Sequence, residues 1–173
     1  TVTSLGTLTH NSCGTVRYDG AANQTVYNAD YYNLEVKTSG GAKAAIGFGL
    51  TAANVAHALT VTGAGICDLN AGINIAGRFL TFTTGGTTSR LELGGAVTST
   101  SLGTFASNGC GTVEYDDTTA NQTVAAVTYN HLEIDNDSKT ATAGDSFAVV
   151  GNLTIASGTF DVASAPIFRT TIT

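Results

Sequence analysis

Charge is scarce in this chain, and its scarcity excludes whole classes of partner. Charged residues make up 12% of 173, and seven Lys and Arg stand against thirteen Asp and Glu, for a formal net charge of −6. The basic residues are spread singly, so nucleic acid and anionic membrane surfaces are poor partners. Low charge beside 42% hydrophobic residues also excludes disorder, which needs the opposite balance. A long apolar run is missing too. The least polar stretch, Ala44 to Gly65, is made largely of Ala, Gly and Thr and carries Asn54 and His57, so no membrane span is expected. Proline occurs once, at Pro166, which leaves nearly every backbone donor free to pair. Methionine is absent and the chain begins at Thr1, so it reads as a processed product or an excerpt from a longer chain, and both readings point to export.

Catalytic and metal-binding signatures are lacking as well. There is no nucleophile elbow and no HExxH, and His10, His57 and His131 stand apart as surface or loop histidines. The three cysteines form no CxxC and no zinc spacing; Cys13, Cys67 and Cys110 read as small buried hydrophobes near turns, with a disulfide or a free thiol as the other readings of an odd number. Asp116-Asp117 and Asp135-Asn136-Asp137 cluster oxygens, but neither the EF-hand spacing nor the glycine-rich calcium nonapeptide is present. The expectation is a protein that is not an enzyme and has no cofactor or metal.

What is present is repetition. The segment SLGTLTHNSCGTVRYDGAANQTVYNADYYNLEV from Ser4 returns from Ser101 as SLGTFASNGCGTVEYDDTTANQTVAAVTYNHLEI, with Cys13 reappearing as Cys110 (110 − 13 = 97) and Tyr18 as Tyr115. One residue is inserted in the second copy, so Gln24 answers to Gln122 and Leu34 to Leu132; such drift belongs in turns, because a slip inside a strand would turn its buried face outward. The chain is thus one repeat domain over 1–173, with copy one at 4–100 and a partial copy two at 101–173.

Alternation with period two recurs in both copies, as in Leu34-Glu35-Val36, Leu59-Thr60-Val61, Leu91-Glu92-Leu93 and Leu132-Glu133-Ile134. These read as short half-buried strands, separated by glycine-rich turns such as Ser39-Gly40-Gly41, Gly85-Gly86 and Asn108-Gly109. Thr51 to Ala58 reads as a short helical or looped insertion. The fold class is all-β: a parallel β-helix, or β-solenoid, built from two tandem copies of a unit of about 97 residues. The alternative is an antiparallel β-sandwich, pilin-like, with donor-strand exchange. The cysteines separate the two, because stacked coils hold all three too far apart for an intrachain disulfide.

GTVRYDG, NQTV and YYNLEV, followed by LTVTG and GICDL, resemble the Thr- and Gly-rich strand repeats of very large secreted bacterial surface proteins of the adhesin or haemagglutinin-like kind. The resemblance implies a β-helical, surface-exposed stalk or fibre without a cofactor. With the truncation in mid-repeat, it leads to the expectation of a structural, extracellular or cell-surface segment that self-associates through strand edges into a filament. The second expectation is carbohydrate binding, with Tyr27, Tyr31, Tyr32 and Tyr129 stacking on sugars, and a β-helical polysaccharide-degrading enzyme ranks last. Asn23, Asn121, Asn136 and Asn152 each begin an N-glycosylation acceptor pattern.

Overall fold

The computed structural model describes residue 8 and residues 12–83, 88–162 and 167–169. His10, Pro166 and the Gly85-Gly86 turn lie outside them. In chain order the strands are β1 (Thr15–Tyr18), β2 (Gln24–Thr25), β3 (Tyr31–Val36), β4 (Lys43–Ile46), β5 (Leu50–Thr51) and β6 (Val55–Val61). They continue as β7 (Ile66–Leu69), β8 (Ile73–Asn74), β9 (Phe79–Phe82), β10 (Arg90–Leu93), β11 (Thr104–Ala106) and β12 (Thr112–Tyr115). The last six are β13 (Gln122–Val124), β14 (Thr128–Tyr129), β15 (His131–Ala143), β16 (Phe147–Val149), β17 (Leu153–Asp161) and β18 (Ile167–Arg169).

Every strand pairing among these residues is parallel, and no helix occurs. A sandwich of hairpins is therefore excluded, and the chain is a β-solenoid of about seven turns. One sheet runs β1-β3-β6-β9-β11 and a second runs β13-β15-β12-β10-β7-β4-β2, with β17 also on β15; β5-β8 and β14-β16-β18 form two smaller ones. Turn length varies: Thr15 pairs with Asn33 (33 − 15 = 18), whereas Leu34 pairs with Leu59 (59 − 34 = 25). The variation sits in the corners, as the alternation requires.

Stacking in register turns the alternation into rows. Leu34, Leu59 and Leu80 lie side by side inside the first sheet, next to Val36, Val61 and Phe82. Inside the second sheet run Ala44, Cys67, Leu91, Val113 and Leu132, and beside them Ile46, Leu69, Leu93, Tyr115 and Ile134. All of these are buried. Most parallel sheets are covered on both faces and carry unbroken apolar runs; here the outer face meets water, which is why the strands alternate. An aromatic column, Phe82, Phe105, Tyr129, Phe147 and Phe160, climbs the interior with ring centroids 5.9–6.1 Å apart.

The expected insertion at Thr51 to Ala58 contains no helix. Asn54 Oδ1 accepts from the Thr51 amide (3.1 Å) and hydroxyl (2.9 Å), closing a tight turn at 52–54, and β6 starts at Val55.

The two sequence copies make the same bonds. The Tyr27 amide donates to Tyr18 Oη (3.0 Å), Tyr18 Oη lies 3.1 Å from Tyr31 Oη, and the Tyr31 hydroxyl returns to the Tyr27 carbonyl. In copy two the Ala125 amide donates to Tyr115 Oη (2.9 Å), Tyr115 pairs with Tyr129 (2.9 Å), and Tyr129 donates to the Ala125 carbonyl (2.7 Å). Each is a closed circuit in which both hydroxyls donate and accept. Gln24 and Gln122 accept from the Gly20 and Asp117 amides, and Asn23 and Asn121 each accept at 3.0 Å from the next turn, at Lys43 and Thr140.

Yet the copies are not stacked in phase. From β1 to β11 the first sheet is revisited four times, after which β12, the counterpart of β1, lies in the second sheet. The sequence period is thus four turns plus one face, and the structural repeat is the single turn. The tyrosine circuit is made within one turn, so it forms equally well on either face.

Tyr115→Phe should break this circuit and leave the Ala125 amide without its acceptor. We expect a loss of about 1–3 kcal/mol in urea unfolding, the cost of an unsatisfied buried donor. Burial also pushes the Tyr115 hydroxyl up to about 12, so ultraviolet titration should leave this tyrosine un-ionised at pH values where exposed tyrosines ionise.

Candidate functional site

The outer face of the second sheet carries the densest chemistry. Asp68 on β7, Glu92 on β10, Glu114 on β12 and Glu133 on β15 occupy one in-register row, one carboxylate per turn. Like charges stacked directly beside one another repel, and two basic side chains from the adjacent row offset this. Lys43 Nζ lies 2.5 Å from Glu92 Oε2, and Arg90 bridges Glu114 and Glu133, the latter at 2.9 Å. Although they point away from the core, Glu92 and Glu114 are only 4% and 6% exposed.

Asp116 follows β12, two residues beyond Glu114, and its carboxyl joins those of Asp68 and Glu92. Its Oδ1 atom is sealed from solvent and has no hydrogen-bond partner. Burial, followed by the negative charges of Glu114, Glu92 and Asp68, pushes the Asp116 carboxyl up to about 7, with Lys43 opposing. Burial likewise raises Glu114 against the pull of Arg90.

The Asp116 shift has a thermodynamic signature. Between the ordinary carboxyl range and about pH 7 the folded chain keeps a proton that the unfolded chain releases, so this residue lowers stability as pH rises through that window and adds nothing further above it. Asp116→Asn should remove that slope and leave the variant about 1–2 kcal/mol more stable than wild type at pH 8, after allowing for solvent screening of a partly exposed group. Urea midpoints at pH 4 and pH 8 check it. Equal pH dependence in the two proteins would contradict it.

The residues singled out from sequence are scattered. Tyr31 and Tyr129 are core residues with no exposed surface, so they are unavailable to a sugar; their hydroxyls belong to the buried circuits. Tyr27 and Tyr32 are half-buried. Tyr32 lies in an outer stripe with His57 and the 46% exposed Phe79, but His57 stacks on it at 5.1 Å and 10°, covering one ring face. Asn23, Asn121 and Asn152 are exposed, whereas Asn136 is fully buried within β15 and so is not a glycosylation acceptor in the folded chain. His131 accepts from the Asn152 amide at 3.0 Å.

All three cysteines are free thiols, as stacked turns require. Cys67 and Cys110 are buried, but Cys13 is exposed, contrary to the reading of all three as buried; Cys67 also lies inside β7 and not at a turn. Burial raises the thiols of Cys67 and Cys110 and so suppresses the reactive thiolate. A thiol reagent should therefore label Cys13 alone in the native protein and all three cysteines in denaturant, as read by intact mass. Native labelling of Cys67 would contradict the packing.

Sequence reading missed the Asp68–Glu92–Asp116 group, because those residues are 24 apart (92 − 68 = 24 and 116 − 92 = 24) and no local motif joins them. A recurrence at the turn length was the available signal. No protein-family model, curated protein or solved structure matches the chain.

Proposed function

We propose that this chain is a structural module: a length of extracellular or cell-surface β-rod that serves in a fibre, stalk or surface layer and associates with other copies through strand edges. It is read as having no catalytic role. The observation that carries the reading is the parallel ladder, in which inward rows and backbone pairing run from turn to turn among the described residues while the copied hydrogen bonds recur in both halves. Such a stack distributes load over many backbone bonds and grows by adding turns. Its inward rows are buried, and the polar groups of its duplicated motifs hold neighbouring turns together. The family resemblance of GTVRYDG, NQTV and YYNLEV supports the same reading.

At about 4.8 Å per turn, seven turns span only about 34 Å, so a rod of useful length requires further turns or further copies. Concentration-dependent light scattering and negative-stain micrographs of the purified chain test the association: filaments one solenoid wide are expected. A monomer that persists at high concentration would count decisively against self-assembly. A carbohydrate-binding role has narrower support, resting on Tyr32 and its exposed neighbours alone, and a glycan array addresses it.

A further inference from the structure

Asn108-Gly109 is the one Asn-Gly pair in the chain, and the fold displays it at a corner between β11 and β12. The Cys110 amide donates to the Ser107 carbonyl at 3.0 Å, and Asn108 and Gly109 have φ of 51° and 67°. Residues 107–110 therefore close as the mirror-image turn that favours this pair. Both central residues are exposed. Among the described residues nothing accepts from the Gly109 amide, and no atom lies within 4 Å of the place a Cβ would take there.

One labile side chain seats this corner on the turn before it. Asn108 Nδ2 donates to the Phe82 carbonyl at 2.7 Å. Beside it the Cys110 thiol, a weak donor, reaches the Thr83 and Ser107 carbonyls at 3.4 Å and 3.3 Å. Seated in this way, Cys110 is only 7% exposed. Copy one has a different pair at the same place: Asn11 is followed by Ser12, which holds a φ of 54° with a side chain present, and Cys13 is exposed.

Asparagine is among the thermolabile residues, and a following glycine, lacking a Cβ, leaves its own amide nitrogen unhindered as a nucleophile. The Gly109 nitrogen bonds to Asn108 Cγ and gives up its proton, while the Cγ–Nδ2 bond breaks and ammonia leaves with that proton. Water then opens the resulting cyclic imide at one of its two C–N bonds, giving aspartate or isoaspartate. Water is the only co-reactant, and nothing is oxidised or reduced. Either product has lost the side-chain donor to Phe82 and gained a carboxylate, which accepts hydrogen bonds but donates none.

We propose that Asn108 is a spontaneous modification site, and that its conversion to aspartate or isoaspartate unseats the 107–110 corner and uncovers the Cys110 thiol. The rod then carries a one-way record of its age at a corner of copy two that copy one lacks. The inference is independent of self-assembly.

The test is incubation of the full chain in warm, mildly alkaline buffer, followed by peptide mapping and native thiol labelling. Conversion is expected at Asn108 ahead of every other asparagine, read as the mass gain of NH2 exchanged for OH and as isoaspartate content. Because the native side chain must first release Phe82, conversion should run about tenfold slower than in the urea-unfolded chain. Native labelling of Cys110 should rise about tenfold once Asn108 has converted, the factor one lost hydrogen bond makes in an opening equilibrium. Gly109→Ser, which copies the Asn-Ser pair of copy one, should slow conversion several-fold, and Asn108→Asp should give fast Cys110 labelling without ageing. An Asn108 that outlasts any other asparagine, or stays intact in the native chain far beyond that tenfold delay, overturns the site. Slow Cys110 labelling in converted protein or in a folded Asn108→Asp overturns the consequence. Should Asn108→Asp fail to fold by circular dichroism, Asn108→Ala, which removes the donor without adding charge, decides by the same labelling.

Discussion

Gly95→Val will cost about 3 kcal/mol or more and is expected to prevent the turns on either side of it from stacking. At this corner backbone lies directly on backbone: a Cβ at Gly95 would collide with the Gly72 amide and stand 2.6 Å from Gly72 Cα and 2.8 Å from the Ala71 carbonyl carbon. No side chain can yield here. The colliding atoms also belong to turns already pinned by their ladders, with the Gly94 amide bonded to the Leu69 carbonyl at 2.8 Å. Gly47→Ala is the control, because nothing lies within 4 Å of its Cβ position and its φ is not positive. That change should be neutral or slightly stabilising, through a less flexible unfolded chain. Urea midpoints compare the two, and similar values for both would show that corner stacking does not hold the turns together.

Leu59→Ala should destabilise the chain by about 2–5 kcal/mol, the range for emptying a buried leucine site. Leu59 lies between Leu34 on one side and Leu80 on the other, all three without exposed surface. The truncation therefore opens a void against two neighbours at once. Leu153→Ala should cost much less, about 1 kcal/mol, because Leu153 stacks on Leu132 but is itself only half-buried. In a nearest-neighbour stack the penalty depends on position along the axis more than on side-chain type. Equal penalties at the two sites would contradict that. Ile134 and Ile155 show the same gradient within one row, the first fully buried and the second 53% exposed.

Alternation alone determined the strands and which of their faces is buried, because a period of two admits only one way to hide Leu34 and Val36, or Leu132 and Ile134, from water. The scarcity of proline and the absence of ordinary helical patterning made the fold all-β, and the duplicated NQTV and tyrosines marked turns that recur with the same bonds. Sequence could not decide which residues meet across turns. Turn length varies between corners, so the one-face offset of copy two does not follow from spacing in the chain, and the even recurrence of Asp68, Glu92 and Asp116 becomes a meeting only once the turns are stacked. Nor could it separate Tyr31 from Tyr32, or Asn136 from Asn121, by exposure; identical residue types in similar local contexts are sorted by the side of the strand they occupy and by the turn that covers them. Local pattern determines what a strand must hide, and only the stack determines what lies beside it, because the neighbours come from one turn away in space and roughly twenty residues away in sequence.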